Sequence, residues 1–555
     1  METDLALSRP VFDAISAVDI TTSDDKTKAF VTRKLRDFRL KGVDKDENTR
    51  QQILALDEEI TALGQDFDRN IAEDVRGITV ESAGDLAGLP EDWIAAHTPN
   101  ENGQIRVTTD YPDYIPFLRY AESDDLRRAL SFEFQNRGYP MNETVLKQLI
   151  EKRWEIARLQ GFDNWADQST ADKMIGNATA AAEFIEAGSA GSETRARADY
   201  GELLNRLQQI EPSAESVELW QSSWLADKIR KEKYGLSSDE LRPYFDYERV
   251  RDGILELTSD MYGVEFRRRE SAETWHEDVE AWELLDDGQV IGRFYLDMHP
   301  RDNKYKHAAH FYYKAGLKDR LIPESALVCN FPGRTGESGI MEKDQVETFL
   351  HEFGHLMHYL FRYHQPWLGI SQPERDFIEA PSMMLEEWIY DADTLQRFAV
   401  NDDGQAIPAE LVRKMSAARN FGEGLSVHRQ MFLAAISLNF YNRDPATFEL
   451  GALFRELEAR YSIFRYEDGT HMYNSFGHLN GYSAFYYTYM WSLAIATDMF
   501  TRFQDEGLRN GAVSRDYRRK VLDVGGSKPA SEFVSDFLGR PYNFEAFEKR
   551  LNSAD

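Results

Sequence analysis

Apolar residues recur at helical spacing over most of the chain. Between residues 25 and 75, Phe30, Leu35, Phe38 and Leu40 stand among many charges, and Ile53, Leu54, Leu56, Ile60, Leu63 and Phe67 continue at spacings of mostly three and four. This stretch predicts helices. From His97 to Pro116 the residues Asn, Gly, Asp and Pro accumulate, which predicts a loop with at most a short strand. Helical patterning resumes through Trp154 and Leu159, ends near Gly161 and continues in the charged segment 178–233. The charge runs there read as solvated faces. After residue 390 the pattern is helical to the end, without repeats or low-complexity segments.

The pattern changes near Trp282. Trp282 to Asp297 alternates around Asp287-Gly288, a pair that supplies the positive φ angles of a tight hairpin turn. His307–Tyr313 and Ala326–Phe331 are further strand candidates. An exposed strand edge can pair with an extended peptide through backbone hydrogen bonds. Ala326–Phe331 is the best candidate for that edge, with a buried central strand as the alternative. A Gly-rich loop, Pro332–Gly339, leads to Asp344-x-x-Glu347, which resembles a capping box. The helix it opens carries Val346, Phe349, Leu350, Phe353, Leu356, Met357, Leu360 and Phe361 on one side. At roughly 100° per residue, His351, His355 and His358 form a narrow stripe on the other. A helix packed on its back with its histidines facing a cleft is predicted; the plain alternative is a helix whose histidines hydrogen-bond in the core.

Composition narrows the class. The chain has 555 residues, enough for a large buried core and two to four domains. Its 65 basic and 96 acidic residues give a net charge of −31, which argues against binding a nucleic-acid backbone and favours solubility. The single cysteine, Cys329, excludes an intrachain disulfide and fits a reducing compartment. The first residues lack a basic segment followed by an apolar one, and no run of 18 apolar residues exists, so neither a secretion signal nor a membrane span is expected. A soluble cytoplasmic protein is the expectation.

The histidine stripe brings in chemistry. His351-Glu352-Phe-Gly-His355 is a His-Glu-x-x-His motif: residues four apart share a helix face, so both imidazoles can hold one zinc ion. Glu352 sits beside that face, where it can take a proton from a water on the metal. A catalytic zinc needs a third protein ligand and an open position. The long metzincin pattern fails, because Met357 and Phe361 occupy its glycine and histidine places. Glu379, in Glu374-Arg-Asp-Phe-Ile-Glu379-Ala-Pro381-Ser-Met-Met-Leu-Glu386, is well placed as that ligand; the alternative is a helix N-terminal carboxylate. Pro381 suits the first turn of a new helix. Glu386, seven residues on, reads either as a carboxylate that orients a ligand histidine or as a surface group.

At these residues the chain resembles the M3 family of zinc oligopeptidases, the group of thimet oligopeptidase, neurolysin, oligopeptidase A and dipeptidyl carboxypeptidase. Val346–His358 is similar to that family's central motif and Glu374–Ser382 to its third-ligand motif. The likeness continues in Phe294-Tyr-Leu-Asp297, Lys304-Tyr305, His307, Ala326–Phe331 and Phe476–Trp491, over roughly residues 25 to 540. Met383 departs from the family's usual Gln, and the spacing from His478 to Tyr482 is one residue shorter than in thimet oligopeptidase.

The resemblance implies one zinc ion on His351, His355 and Glu379, with Glu352 as general base. It implies that His478, Tyr482 and Tyr489 donate hydrogen bonds to the reacting oxyanion, and that Arg375 and Tyr486 bind substrate. Tyr482, Tyr486 and Tyr489 stand at i, i+4 and i+7, the spacing of one helix face; by itself that reads as an aromatic core stripe. The implied fold is mainly α, a two-lobed helical ellipsoid with a deep channel and a small β-sheet beside the motif helix, a zincin of gluzincin type. The expected organisation is an N-terminal helical part over 1–135 and a zinc peptidase region over 136–555. The expected function is hydrolysis of internal bonds in short peptides by a monomer without nucleic-acid or membrane partners. The alternatives are a dipeptidyl carboxypeptidase of the same family and a non-catalytic peptide-binding protein.

Overall fold

Helical spacing becomes helix almost throughout in the computed structural model, which describes residues 5–334, 339–362, 365–370 and 372–552. Eight helices carry the argument: α1 (Glu47–Glu73), α2 (Met141–Gln160), α3 (Ala178–Gln208), α4 (Tyr247–Tyr262), α5 (Lys343–Arg362), α6 (Ala380–Glu386), α7 (Glu423–Asn439) and α8 (Thr488–Glu506). Contacts sort the chain into two units, each gathered from three separated stretches. The first comprises Met1–Phe12, Phe38–Gly235 and Phe421–Tyr487; the second comprises Asp13–Asp37, Leu236–Asn420 and Thr488–Asp555.

In the first unit, Asp46 caps α1 by accepting from the Thr49 amide, and α1 buries Ile53, Leu56 and Phe67. Gly161, at φ 100°, ends α2 in the left-handed conformation, at the place the sequence predicts. The helices α3 and α7 cross closely: a Cβ on Gly424 would lie 2.6 Å from the Ala196 nitrogen. The segment expected as loop contains a short strand β2 (Ile105–Thr108) paired antiparallel with β1 (Gly77–Val80). It also contains a helix, Tyr111–Tyr120, despite two prolines. Pro112 sits in the first turn, where its missing N–H costs nothing.

The second unit holds a five-stranded sheet of β3 (Glu265–Arg268), β4 (Val279–Asp286), β5 (Gln289–Asp297), β6 (Ala309–Lys314) and β7 (Glu324–Val328), in the order β3-β4-β5-β7-β6. The predicted hairpin is β4–β5, turning at Asp287 (φ 46°) and Gly288 (φ 75°). The predicted edge is not one. β7 runs parallel to β5 on one side and antiparallel to β6 on the other. Ala326 and Leu327 are buried on opposite faces, as suits an interior strand covered on both sides. The edges of the sheet are β3 and β6, and β6 exposes Phe311, Tyr312 and Tyr313.

The start of α5 also departs from expectation. The helix begins at Lys343, and the Glu342 amide donates to Gln345 Oε1 at 2.9 Å, so the side chain that reaches back to the helix start sits two residues before Glu347. Glu347 instead pairs with Lys343 and accepts from Tyr390. Of the Gly-rich loop, residues 335–338 lie outside the described residues.

Candidate metal centre

The apolar side of α5 anchors it to the sheet. Phe353 packs edge-on against Phe294 of β5 with centroids 6.2 Å apart, and Phe349, Leu356 and Leu360 are fully buried. A Cβ on Gly292 of β5 would lie 2.8 Å from Leu360, so the strand lets the helix come close. Gly354 does the same on the other side: a Cβ there would lie 2.6 Å from the Ser382 Cα and 3.0 Å from the Pro381 carbonyl. The missing side chain brings α6 against the turn of α5 that carries the motif.

That crossing assembles the site. Glu379 is the residue before α6, with Pro381 in the helix's first turn as predicted. Its Oε2 lies 3.0 Å from His355 Nε2 and 3.4 Å from His351 Nε2, and the carboxylate is 2% exposed. One donor atom from each of the three lies within 4.8 Å of the others, the one such cluster among the described residues. Two imidazole nitrogens and a buried carboxylate oxygen form a donor set that suits a divalent cation of borderline softness. The residues fit the metal that the sequence implies. On the far side of His351, Nδ1 lies 2.6 Å from Glu386 Oε1. This contact keeps a proton on Nδ1 and leaves Nε2 as the donor toward the cluster.

Burial would hold the Glu379 carboxyl up, but the charges and hydrogen bonds of His355 and His351 outweigh it and take it far below the usual carboxylate range. Burial would lower His351, but its bonds to Glu379 and Glu386 carry it well above the ordinary imidazole value. Glu352, 7% exposed, is raised by burial against the pull of both histidines. The backbone amide of His310, on β6, hydrogen-bonds the Glu352 carboxylate. The edge strand therefore runs beside the motif.

The third histidine of the stripe does not face a cleft. His358 is 1% exposed, and its ring stands edge-on to Phe377 at 6.3 Å. Seven residues from His351 the stripe has drifted under the turn Arg375–Phe377 that leads to Glu379. Burial lowers its pKa well below the ordinary value, so it is held neutral. His310 was missed as part of the site; its only signal was its place in the short string His307-Ala-Ala-His310, read simply as strand.

Arg375 opens the turn that ends one residue before Ile378, and it is exposed. The aromatic residues expected on one helix face are not on one helix. His478 starts a single helical turn, His478–Gly481, and residues 482–487 are turns with Ala484 at φ 65°. Tyr489 lies in the first turn of α8 and belongs to the second unit, whereas Tyr482 and Tyr486 belong to the first. Distant segments take the carbonyls that a continuing helix would use: Ser437 donates to the Tyr482 carbonyl at 2.9 Å and Ser169 to the Ser483 carbonyl at 3.0 Å. Trp165 donates to Ser483 Oγ at 2.9 Å. Within the first unit the His478 ring still touches both Tyr482 (5.4 Å) and Tyr486 (4.9 Å).

A family model described as Peptidase family M3 matches residues 117–553. A thimet-like oligopeptidase of Dictyostelium discoideum is 28% identical over 546 residues, covering 94% of this chain and 81% of the relative. Oligopeptidase A of Salmonella typhimurium is 27% identical over 556 residues, covering 95% and 81%. A solved structure of PZ peptidase A with an inhibitor aligns over 100% of this chain and 84% of its own at a TM-score of 0.58 and 14% identity, a likeness of fold. With the family model spanning most of the chain and the three donors gathered where its motifs predict, the chain belongs to peptidase family M3 and is a metallo-oligopeptidase.

Proposed function

We propose that the chain hydrolyses internal peptide bonds of short oligopeptides at a zinc ion held by His351, His355 and Glu379, with Glu352 as the general base. The observation that carries this is the convergence of two imidazole nitrogens and a buried carboxylate, with a second carboxylate one residue along the same helix. Zinc bound there would supply a Lewis acid that polarises the scissile carbonyl and makes water acidic near neutral pH. Glu352 takes the proton of the attacking water and returns it to the leaving amine. Glu386 holds His351 in one tautomer throughout.

Substrate lies along β6. Its second edge pairs with no strand among the described residues, and the His310 amide brings that edge to Glu352. Backbone pairing of this kind holds an extended peptide without reading its sequence. Tyr482, Tyr489 and His478 donate to the charge that builds on the carbonyl oxygen, and Arg375 and Tyr486 hold the peptide. Loss of one such donor typically costs about 10²- to 10³-fold in rate. Cys329, the single cysteine and a buried one, supports work in a reducing, cytoplasmic compartment, and we take the enzyme to act as a monomer.

The test is Glu352→Gln. We expect the variant to retain one zinc per chain by elemental analysis and to lose at least roughly 10²- to 10⁴-fold in turnover of an internally quenched peptide. A variant with parental turnover removes Glu352 from the chemistry. Mass spectrometry of the products separates internal cleavage from stepwise release of C-terminal dipeptides.

A further inference from the structure

Five of the six exposed aromatic side chains among the described residues stand on or beside the sheet of the second unit: Trp275, Tyr305, Phe311, Tyr312 and Tyr313, with Trp367 the exception. Two of them, Trp275 and Tyr313, join half-buried Tyr295 around a cavity of about 430 Å³, and Glu273 and Glu324 complete its lining. Clefts that hold small molecules run from roughly 300 to 1,000 Å³. Tyr295 comes from β5, Tyr313 from β6 and Glu324 from β7, while Glu273 and Trp275 lie on the connection from β3 to β4.

The strand pattern puts this cavity across the sheet from α5. Phe294 and Tyr312 turn toward α5, against Phe353 and Tyr359, with ring centroids 6.2 and 5.5 Å apart. Successive residues of a strand point to opposite faces, so Tyr295 and Tyr313 stand on the other side. Their centroids lie 6.1 Å apart, and Trp275 lies 5.2 Å from Tyr295. The rings are tilted by 46° and 45° in these two pairs, so they line the cavity rather than stack flat on one another. They are also held in place. Trp275 Nε1 donates to Asp297 Oδ2 at 2.8 Å, and the Tyr313 hydroxyl donates to Glu324 Oε2 at 3.5 Å. The indole is thus fixed by its edge although the residue is 52% exposed.

The face of an aromatic ring attracts a cation that comes within about 6 Å of its centroid. Elsewhere the chain fills such places itself, with Arg127 over Trp224 at 4.4 Å and Arg128 over Trp220 at 5.1 Å. No lysine or arginine among the described residues does so at Trp275, Tyr295 or Tyr313. Glu324 is met by Lys314 at 2.7 Å and Arg293 at 3.7 Å, but Glu273 meets no basic group at ion-pair distance among the described residues. Fixed, unclaimed ring faces beside an unanswered carboxylate select an organic cation: the rings cover its carbon-bearing sides and the carboxylate balances its charge. A net charge of −31 raises the local concentration of such cations. We propose that Trp275, Tyr295, Tyr313 and Glu273 form a binding pocket for an organic cation, either the ammonium or guanidinium head of a basic peptide side chain or a free quaternary ammonium. The pocket is separate from the candidate metal cluster, and filling it requires no turnover.

Ligand-observed saturation-transfer NMR on the full chain at low ionic strength tests this with two pairs of probes. N-acetyl-arginine methylamide is compared with its neutral citrulline counterpart, and tetramethylammonium with neutral tert-butanol. We expect the charged member of at least one pair to bind at least about fivefold more tightly. Preference within the first pair identifies a basic side chain as the source, and preference within the second a free quaternary ammonium. Glu273→Gln removes the carboxylate's charge and Trp275→Leu removes a ring face while keeping bulk. Each should bring the ratio to within about twofold. Equal binding within both pairs by the parent overturns the proposal, as does a ratio that either variant leaves unchanged, because a merely acidic surface would hold cations regardless of these two residues. Should Trp275→Leu unfold for want of its bond to Asp297, Tyr313→Leu, at another exposed position, takes its place with the same two outcomes.

Discussion

At the scale of single residues, the centre depends as much on an absent side chain as on the ligands. Gly354 lies between the two motif histidines, and the backbone at Ser382 occupies the space its Cβ would need. We expect Gly354→Ala to push α6 off α5, cost about 1–3 kcal/mol in denaturant unfolding and weaken zinc retention on dialysis. Parental stability and zinc content would show that the two helices have slack there. The three candidate donors themselves were legible, because a one-turn motif and a carboxylate beside a helix-opening proline are local patterns. Glu386 stayed ambiguous between an orienting group and a surface group, since only the path of the chain brings its Oε1 to His351 Nδ1. His358 was misjudged for the same reason: a helix wheel shows which side a residue takes, not what covers it.

At the scale of elements, the hairpin β4–β5 was legible from Asp287-Gly288, whereas the order of the sheet was not. A short apolar run such as Ala326-Leu-Val fits an edge or an interior strand equally until its neighbours are known. Here the neighbours put β7 inside the sheet, and β6, with its exposed aromatics, at an edge beyond it. The end of β5 is tied down by Asp297, which accepts from Trp275 Nε1 at 2.8 Å and from Arg301 and pairs with buried Lys304 at 3.0 Å. Burial alone would raise this carboxyl, but the hydrogen bonds of Arg301, Trp275 and Lys304 bring it down to about 2. Its stabilisation is therefore complete above the unfolded-chain value near 3.8 and is lost as pH falls through about 2. Asp297→Asn should unfold at lower denaturant than the parent at pH 6, with the gap narrowing below about pH 4. A gap independent of pH would place the effect in packing rather than charge.

At the scale of the molecule, each unit is woven from distant parts of the chain. The second unit keeps every candidate metal ligand within residues 351–386, yet the support of α6 comes from residues after 488. Ser492 donates to the Asp376 carbonyl at 2.9 Å, Trp388 packs edge-on against Phe500 and Phe503 at 5.5 and 5.2 Å, and Arg550 pairs with Glu387 at 3.1 Å. We expect a fragment spanning residues 236–420 to show little cooperative melting by circular dichroism and to bind no stoichiometric zinc, although it contains all three ligands. A fragment that melts cooperatively and takes up one zinc would mean that the later helices are dispensable.

By itself the sequence determined the helical class, the motif histidines with the carboxylate that joins them in a candidate metal cluster, and the family. Those follow from residue spacing along one helix or one turn, which the backbone geometry translates directly into neighbours in space. The tertiary structure alone decided that β7 lies inside the sheet with β6 at an edge, that His358 is covered and that the tyrosines after His478 stand on a broken turn. Each of these depends on what a distant segment packs against, and side-chain burial between such segments leaves no period in the chain to read.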